Sequence, residues 1–125
     1  MILVDTSVWV DHLRTGDDQL ADLLERGRVV IHPFVVGEIA CGSLADRGLV
    51  LELLQDLPAA AVAESDEVLG FIDRHELHGK GIGNVDVHLL AAVALTGDTK
   101  LWTRDKRLLA AAQALGCAFE DASAH

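Results

Sequence analysis

Short, uninterrupted apolar runs alternating with longer helix-like stretches constrain this chain more than any other feature. Ile2 to Val4 and Val29 to Ile31 carry no polar residue, the pattern of strands covered on both faces rather than wetted on one. Lys100 to Thr103 and Cys117 to Phe119 read as further strands, and Ala60 to Ala63 as a short one. Thr6 or Ser7 offers a helix cap after the first run, and Asp17 and Asp18 begin a second helix whose Leu20, Leu23 and Leu24 recur at helical spacing up to Gly27. Pro33 opens a third helix carrying Phe34 to Leu44, and Leu49 to Leu57 form a fourth before Pro58. Ser65 and Glu67 announce a helix from about Asp66 to His78. After the glycines at 79, 81 and 83, Asn84 can cap a strongly apolar helix from Val85 to Leu95, closed by Gly97, and Lys106 to Leu115 form the last. Strands and helices alternating at these lengths predict an α/β fold built on a parallel sheet.

The chain of 125 residues is half apolar, enough for one core, so a single domain over residues 1–121 is expected, with 122–125 as a frayed tail. Met1 leads straight into a strand-like run with neither a basic segment nor a long apolar one, unlike a secretory signal. The longest apolar runs, such as Leu89 to Leu95, fall well short of the ~20 residues that cross a bilayer. A soluble, cytoplasmic protein with no membrane partner is the expectation, and Cys41 and Cys117 are expected to be buried free thiols. Twenty acidic residues against ten basic ones give a net charge of −10. Such a surface repels phosphate backbones, so any work on nucleic acid requires a local site where cations reverse the sign.

Four acids stand where such a site would form. In open α/β sheets functional groups gather beyond the carboxyl ends of strands; Asp5 directly follows the first strand, and Asp105 lies two residues past Thr103. Glu38 has Phe34, Val35, Cys41 and Gly42 as helical neighbours, so it reads as a lone charge on a face that disfavours one. Asp86 begins a helix that is otherwise almost wholly apolar. Each acid alone has an ordinary reading: Asp5 or Asp105 as a cap, Glu38 as solvent-facing, Asp86 as a favourable helix-start charge.

The ordered set is more specific than its members. ValAspThrSerValTrpValAspHisLeu from Val4, ValValGlyGluIleAlaCysGly from Val35, AsnValAspValHisLeuLeuAlaAla from Asn84 and LeuTrpThrArgAspLysArgLeu from Leu101 resemble the signatures of PIN-domain ribonucleases of the VapC toxin type, over nearly the entire chain. That resemblance implies a three-layer α/β/α domain with a central parallel sheet of four to five strands. It implies that Asp5, Glu38, Asp86 and Asp105 form an acidic metal pocket supported by Thr103, with Thr6 assisting. It also implies endoribonuclease activity that leaves a 5′-phosphate and a 3′-hydroxyl, a homodimer, and a cognate antitoxin whose extended segment covers the acidic groove. One position departs from the pattern: many members place a further acid or Asn two residues after the last Asp, where this chain has Arg107. A second metal site lacks that ligand.

The chemistry suits the residues. Mg²⁺, with Mn²⁺ as a substitute, prefers hard oxygen ligands and leaves positions for phosphate. Without a cation the acids repel one another, so at least one pKa should rise. Lys80, Arg104, Lys106 and Arg107 surround the acids in sequence and are candidate phosphate contacts. The histidines suit surface or capping roles, and Trp9 and Trp102 suit the core. Two other readings stay open. A Mg²⁺-binding phosphoacceptor domain wants an acidic pair after its first strand, whereas Thr6 and Ser7 follow Asp5; a PIN-like binding module that cuts nothing would leave the acids without work.

Overall fold

The computed structural model describes residues 1–122. Its core is a parallel sheet of β1 (Ile2–Val4), β2 (Val29–Val30) and β3 (Lys100–Trp102), in the order β2-β1-β3. Leu3 pairs with Val30 on one side and with Leu101 on the other. Successive strand residues point to opposite faces, yet Leu3, Val4, Leu101 and Trp102 are all fully buried. Both faces are therefore covered, which makes the domain three layers deep.

Of the two outer strands expected from sequence, Ala60 to Ala63 is irregular and Cys117 to Phe119 keeps only a bridge, the sheet being extended by single parallel bridges, Ile31 with Ala59 beyond β2 and Leu101 with Ala118 beyond β3. Each is held by two backbone bonds, such as Ala60 N–H to the Ile31 carbonyl and Phe119 N–H to the Leu101 carbonyl, both 2.8 Å. An edge segment has one neighbour only, so the pairing ends as soon as the chain turns away.

The helices are α1 (Thr6–Thr15), α2 (Asp18–Glu25), α3 (Pro33–Ala40), α4 (Arg47–Gln55), α5 (Ser65–His75), α6 (Asn84–Thr96) and α7 (Lys106–Ala114). Their starts are chemically explicit. Asp17 caps α2 through the Leu20 N–H, and His32 caps α3 through Nδ1, which accepts from the Phe34 N–H. Two expected caps move by one residue: Glu64 rather than Ser65 precedes α5, and Gly83 rather than Asn84 precedes α6. Gly83 has no side chain to offer, and its own N–H donates to the Asp86 carboxylate instead. Every residue of α6 from Val87 to Val93 is buried, as befits an apolar helix enclosed on all sides.

Trp9 and Trp102 lie in the core, as expected, whereas Cys41 is exposed at the end of α3 and only Cys117 is partly covered. Burial pushes the Cys117 thiol above its ordinary pKa. Ala122 N–H bonds the Gln19 side chain, and the rest of the expected tail, 123–125, lies outside the described residues. Among the described residues no helix is long and apolar enough to cross a membrane.

Candidate metal and active site

The sheet order places β1 centrally, with the chain leaving it first towards β2 and returning later to β3 on the other side. Such a reversal opens a crevice beyond the carboxyl ends of the strands it separates. Asp5 follows β1 and Asp105 follows β3, so the topology alone carries both acids to one crevice.

Asp5 is buried and strongly tethered. Its Oδ2 accepts hydrogen bonds from the hydroxyls of Ser7 at 2.7 Å and Thr103 at 2.8 Å, while Oδ1 accepts none among the described residues. Thr103 in turn accepts the Asp105 N–H at 3.1 Å, and Ser7 accepts the Arg104 N–H at 3.0 Å. Two hydroxyls thus tie the end of β1 to the end of β3, fixing Asp5 against Asp105 and leaving one Asp5 oxygen free. Asp105 also caps α7, its Oδ1 accepting from the N–H groups of Arg107 and Leu108. The cap and site readings of Asp5 and Asp105 are therefore not rivals.

Glu38 departs from expectation. It is exposed, because its neighbours Phe34 and Cys41 are themselves at the surface. Its Oε1 accepts the Thr6 hydroxyl at 2.7 Å, which draws the carboxylate from α3 towards the start of α1 beside Asp5. Edge-to-face contacts among three rings link the helices bearing Glu38 and Asp86, with Phe34 between His32 at 5.0 Å and His88 at 4.7 Å. His32 is fully buried, and burial followed by the neighbouring His88 pushes its pKa down to about 4. It stays neutral at pH 7.

Asp86 reports on the cluster as a whole. Its pKa is raised, first by burial and then by the like charges of Asp5, Asp105 and Glu38, with the Gly83 N–H opposing the rise. All three other acids are close enough to penalise its charge. None of the four forms an ion pair among the described residues.

The donor set fits a hard divalent cation: four carboxylates, one oxygen of Asp5 open, and an anionic excess that no ion pair among the described residues relieves. Among the described residues no three acidic, histidine or cysteine side chains converge into a ready-made shell. Mg²⁺ does not require one, since it usually keeps several waters and takes one or two carboxylates directly.

Arg104 does not join the basic rim expected from sequence. Its guanidinium is bound by Asp17 at 2.6 Å, Asp11 at 2.7 Å and Asp121 at 2.9 Å, and lies over the Trp102 ring. Lys80, Lys106 and Arg107 are exposed and form no ion pair among the described residues. The sequence offers Ser7 as a helix cap, a place that Asp5 takes instead, and not as a partner of the Asp5 carboxylate. The available signal was its position two residues after Asp5, where a hydroxyl can return to the carboxylate.

The PIN-domain family model matches residues 2–114, spanning all four acids and both hydroxyls on Asp5. The chain belongs to the PIN-domain family. Within it, the VapC-type resemblance read from four short motifs extends to the whole chain. This PIN domain is 49% identical over 121 residues to "Ribonuclease VapC32" of Mycobacterium tuberculosis strains CDC 1551 / Oshkosh and ATCC 25618 / H37Rv, covering 97% of this chain and 98% of theirs. Lengths that agree this closely leave no additional domain in those relatives.

Proposed function

We propose that this PIN domain is a Mg²⁺-dependent endoribonuclease, with Mn²⁺ as a substitute, and the toxin of a VapBC-type toxin–antitoxin pair. The observation that carries the reading is the placing of Asp5 and Asp105 at the crevice where the strand order reverses, with Glu38 and Asp86 close enough for their charges to act on one another and no ion pair on any of the four among the described residues. Near-full-length similarity to a protein named a ribonuclease gives the chemistry its substrate class.

Asp5, Glu38, Asp86 and Asp105 hold the cation. The Thr103 and Ser7 hydroxyls keep Asp5 Oδ2 turned inward, and Thr6 does the same for Glu38. A bound divalent ion supplies polarisation of the scissile phosphate and acidification of an attacking water. The water oxygen forms a new bond to phosphorus, the bond from phosphorus to the 3′-oxygen breaks, and that oxygen takes up a proton. The products are a 5′-phosphate and a 3′-hydroxyl. Lys80, Lys106 and Arg107 draw the flanking phosphates towards an otherwise acidic surface.

The antitoxin covers the acid site. A groove of about 550 Å³ runs beside Glu38, with Val10, Leu13, Ile39, Leu44 and Val50 in its walls. It suits an extended apolar segment whose basic side chain reaches the acids. Exposed Leu69 on α5 and Leu95 on α6 offer apolar surface to a second copy of the chain.

The test is cleavage of a mixed cellular RNA pool by protein freed of any partner, with Mg²⁺ or Mn²⁺, alongside EDTA and Asp5→Asn controls. Discrete products with 5′-phosphate ends, absent from both controls, are expected. Metal-loaded protein that cuts no RNA would replace this reading with a non-cutting binding module.

A further inference from the structure

A second groove, of about 400 Å³, opens beside the acid site between the loop carrying Lys80 and the face of α7. Its floor and walls are apolar and small: Leu77, Ala110, Ala111, Ala114 and Leu115. Lys80, Lys106, Arg107 and His75 line it as well. On a chain with ten basic residues and a net charge of −10, this gathers around one slot three cations that form no ion pair among the described residues.

The flat groups in the groove are held in place. Gly81 has φ +75°, and a Cβ there would come within 2.6 Å of the Arg107 guanidinium, so that side chain lies flat against the loop backbone. The His75 ring packs at 4.4 Å from Phe71. Lys106 and Arg107 directly follow Asp105, whose carboxylate accepts the Arg107 N–H.

We propose that this groove is a nucleobase subsite: it receives an unstacked base of the RNA next to the cut, with Lys80 and Lys106 on the adjoining phosphates and Arg107 and His75 as stacking surfaces. The inference rests on the ribonuclease reading and adds to it where base preference comes from. Charge decides between occupants. A peptide anchored here by its carboxylates would press them against Asp105, whereas a phosphodiester chain is drawn simultaneously to these cations and to a cation held by the acids. The slot offers flat faces and alanine surface rather than a dense set of hydrogen-bond groups, so it sorts bases by size and stacking.

The experiment sequences the cut ends from a pool of random-sequence RNA 20-mers digested with Mn²⁺ by wild type, Ala110→Trp and Ala114→Glu. Both alanines are exposed and one helical turn apart, so one variant fills the groove and the other repels phosphate without touching the acids. Wild type is expected to show a base preference at a nucleotide flanking the cut. Both variants should flatten it and raise KM about tenfold or more, the scale of one lost base stack, while the Mn²⁺-induced rise in Tm stays at the wild-type value. An unchanged preference and KM in both variants, or wild-type cleavage without any flanking preference, overturns the subsite and leaves the nuclease intact. Variants that cut normally but no longer bind the antitoxin would assign the groove to the protein partner instead. Absence of cleavage by wild type removes the nuclease reading and the subsite with it.

Discussion

Two acidic clusters flank one tripeptide, Thr103-Arg104-Asp105, and they are built to opposite ends. On one side Asp11, Asp17 and Asp121 close around Arg104, and Trp102 Nε1–H adds a hydrogen bond to Asp121. On the other side Asp5, Glu38, Asp86 and Asp105 border one crevice, bonded to hydroxyls and backbone N–H groups and, among the described residues, to no cationic side chain. The first cluster carries its counter-charge in its own sequence and so is structural. The second leaves its charge unrelieved, which costs stability unless something is bound there. The contrast shows in the pKa values. Burial works to raise Asp17, but the Arg104 hydrogen bond, the Leu20 N–H and the Arg104 charge together outweigh it and hold its carboxyl below the ordinary 3.8, while Asp86 is held above that value.

The sharpest break between the clusters is catalytic. Asp5→Asn should abolish metal-dependent RNA cleavage by at least about a hundredfold with the fold kept, measured as kcat/KM on the RNA that wild type cuts. Asp17→Asn should leave kcat/KM within a few-fold of wild type, since it touches only the cluster paired to Arg104.

Stability comes next, with the order reversed. Arg104→Ala removes the guanidinium shared by Asp11, Asp17 and Asp121 and should cost about 2 kcal/mol after allowance for solvent screening, read as a lower urea midpoint. Arg104→Lys keeps the charge but loses the planar fork that reaches three partners, so it should recover only part of that loss.

The pH dependence of metal-free protein separates them by sign. Asp17, depressed when folded, contributes stability that is present above 3.8 and lost as pH falls through its folded value. Asp86, raised when folded, favours the folded state below 3.8, and that contribution is lost as pH rises through its folded value. Urea midpoints across pH 2 to 7 should therefore show Asp17→Asn less stable than wild type at the neutral end and Asp86→Asn more stable there. Equal shifts in one direction would mean that the two clusters are not electrostatically distinct.

The smallest effect should be at Thr6, whose hydroxyl only orients Glu38 at the exposed edge. Thr6→Val should weaken Mn²⁺ affinity by about tenfold, the low end for a group supporting a ligand, with kcat little changed at saturating metal.

Much of this contrast was legible in the sequence, and the parts that were not share a cause. The strands were readable because Ile2 to Val4 and Val29 to Ile31 need covering on both faces, and Asp5 and Asp105 because topology carries strand ends to one crevice. Glu38 was judged buried because apolar neighbours were equated with a covered face, yet Phe34 and Cys41 lie at the surface themselves. Arg104 read as a phosphate ligand because Asp11 and Asp17 are 93 and 87 residues away in the chain and only the folded structure brings them to it. The edge strands around Ala59 and Ala118 were overestimated, since periodicity reports the tendency to extend and not the length of the partner available. Local pattern fixes which residues are charged and where elements begin; which charges find partners is settled by contacts distant in sequence.

The most direct test of the account is calorimetric titration of Mn²⁺ into metal-free protein, comparing wild type with Asp86→Asn and Asp17→Asn. Saturable binding in wild type and Asp17→Asn, lost in Asp86→Asn, is the predicted result. Binding that survives in Asp86→Asn, or disappears in Asp17→Asn, would contradict the claim that the uncompensated cluster is the cation site.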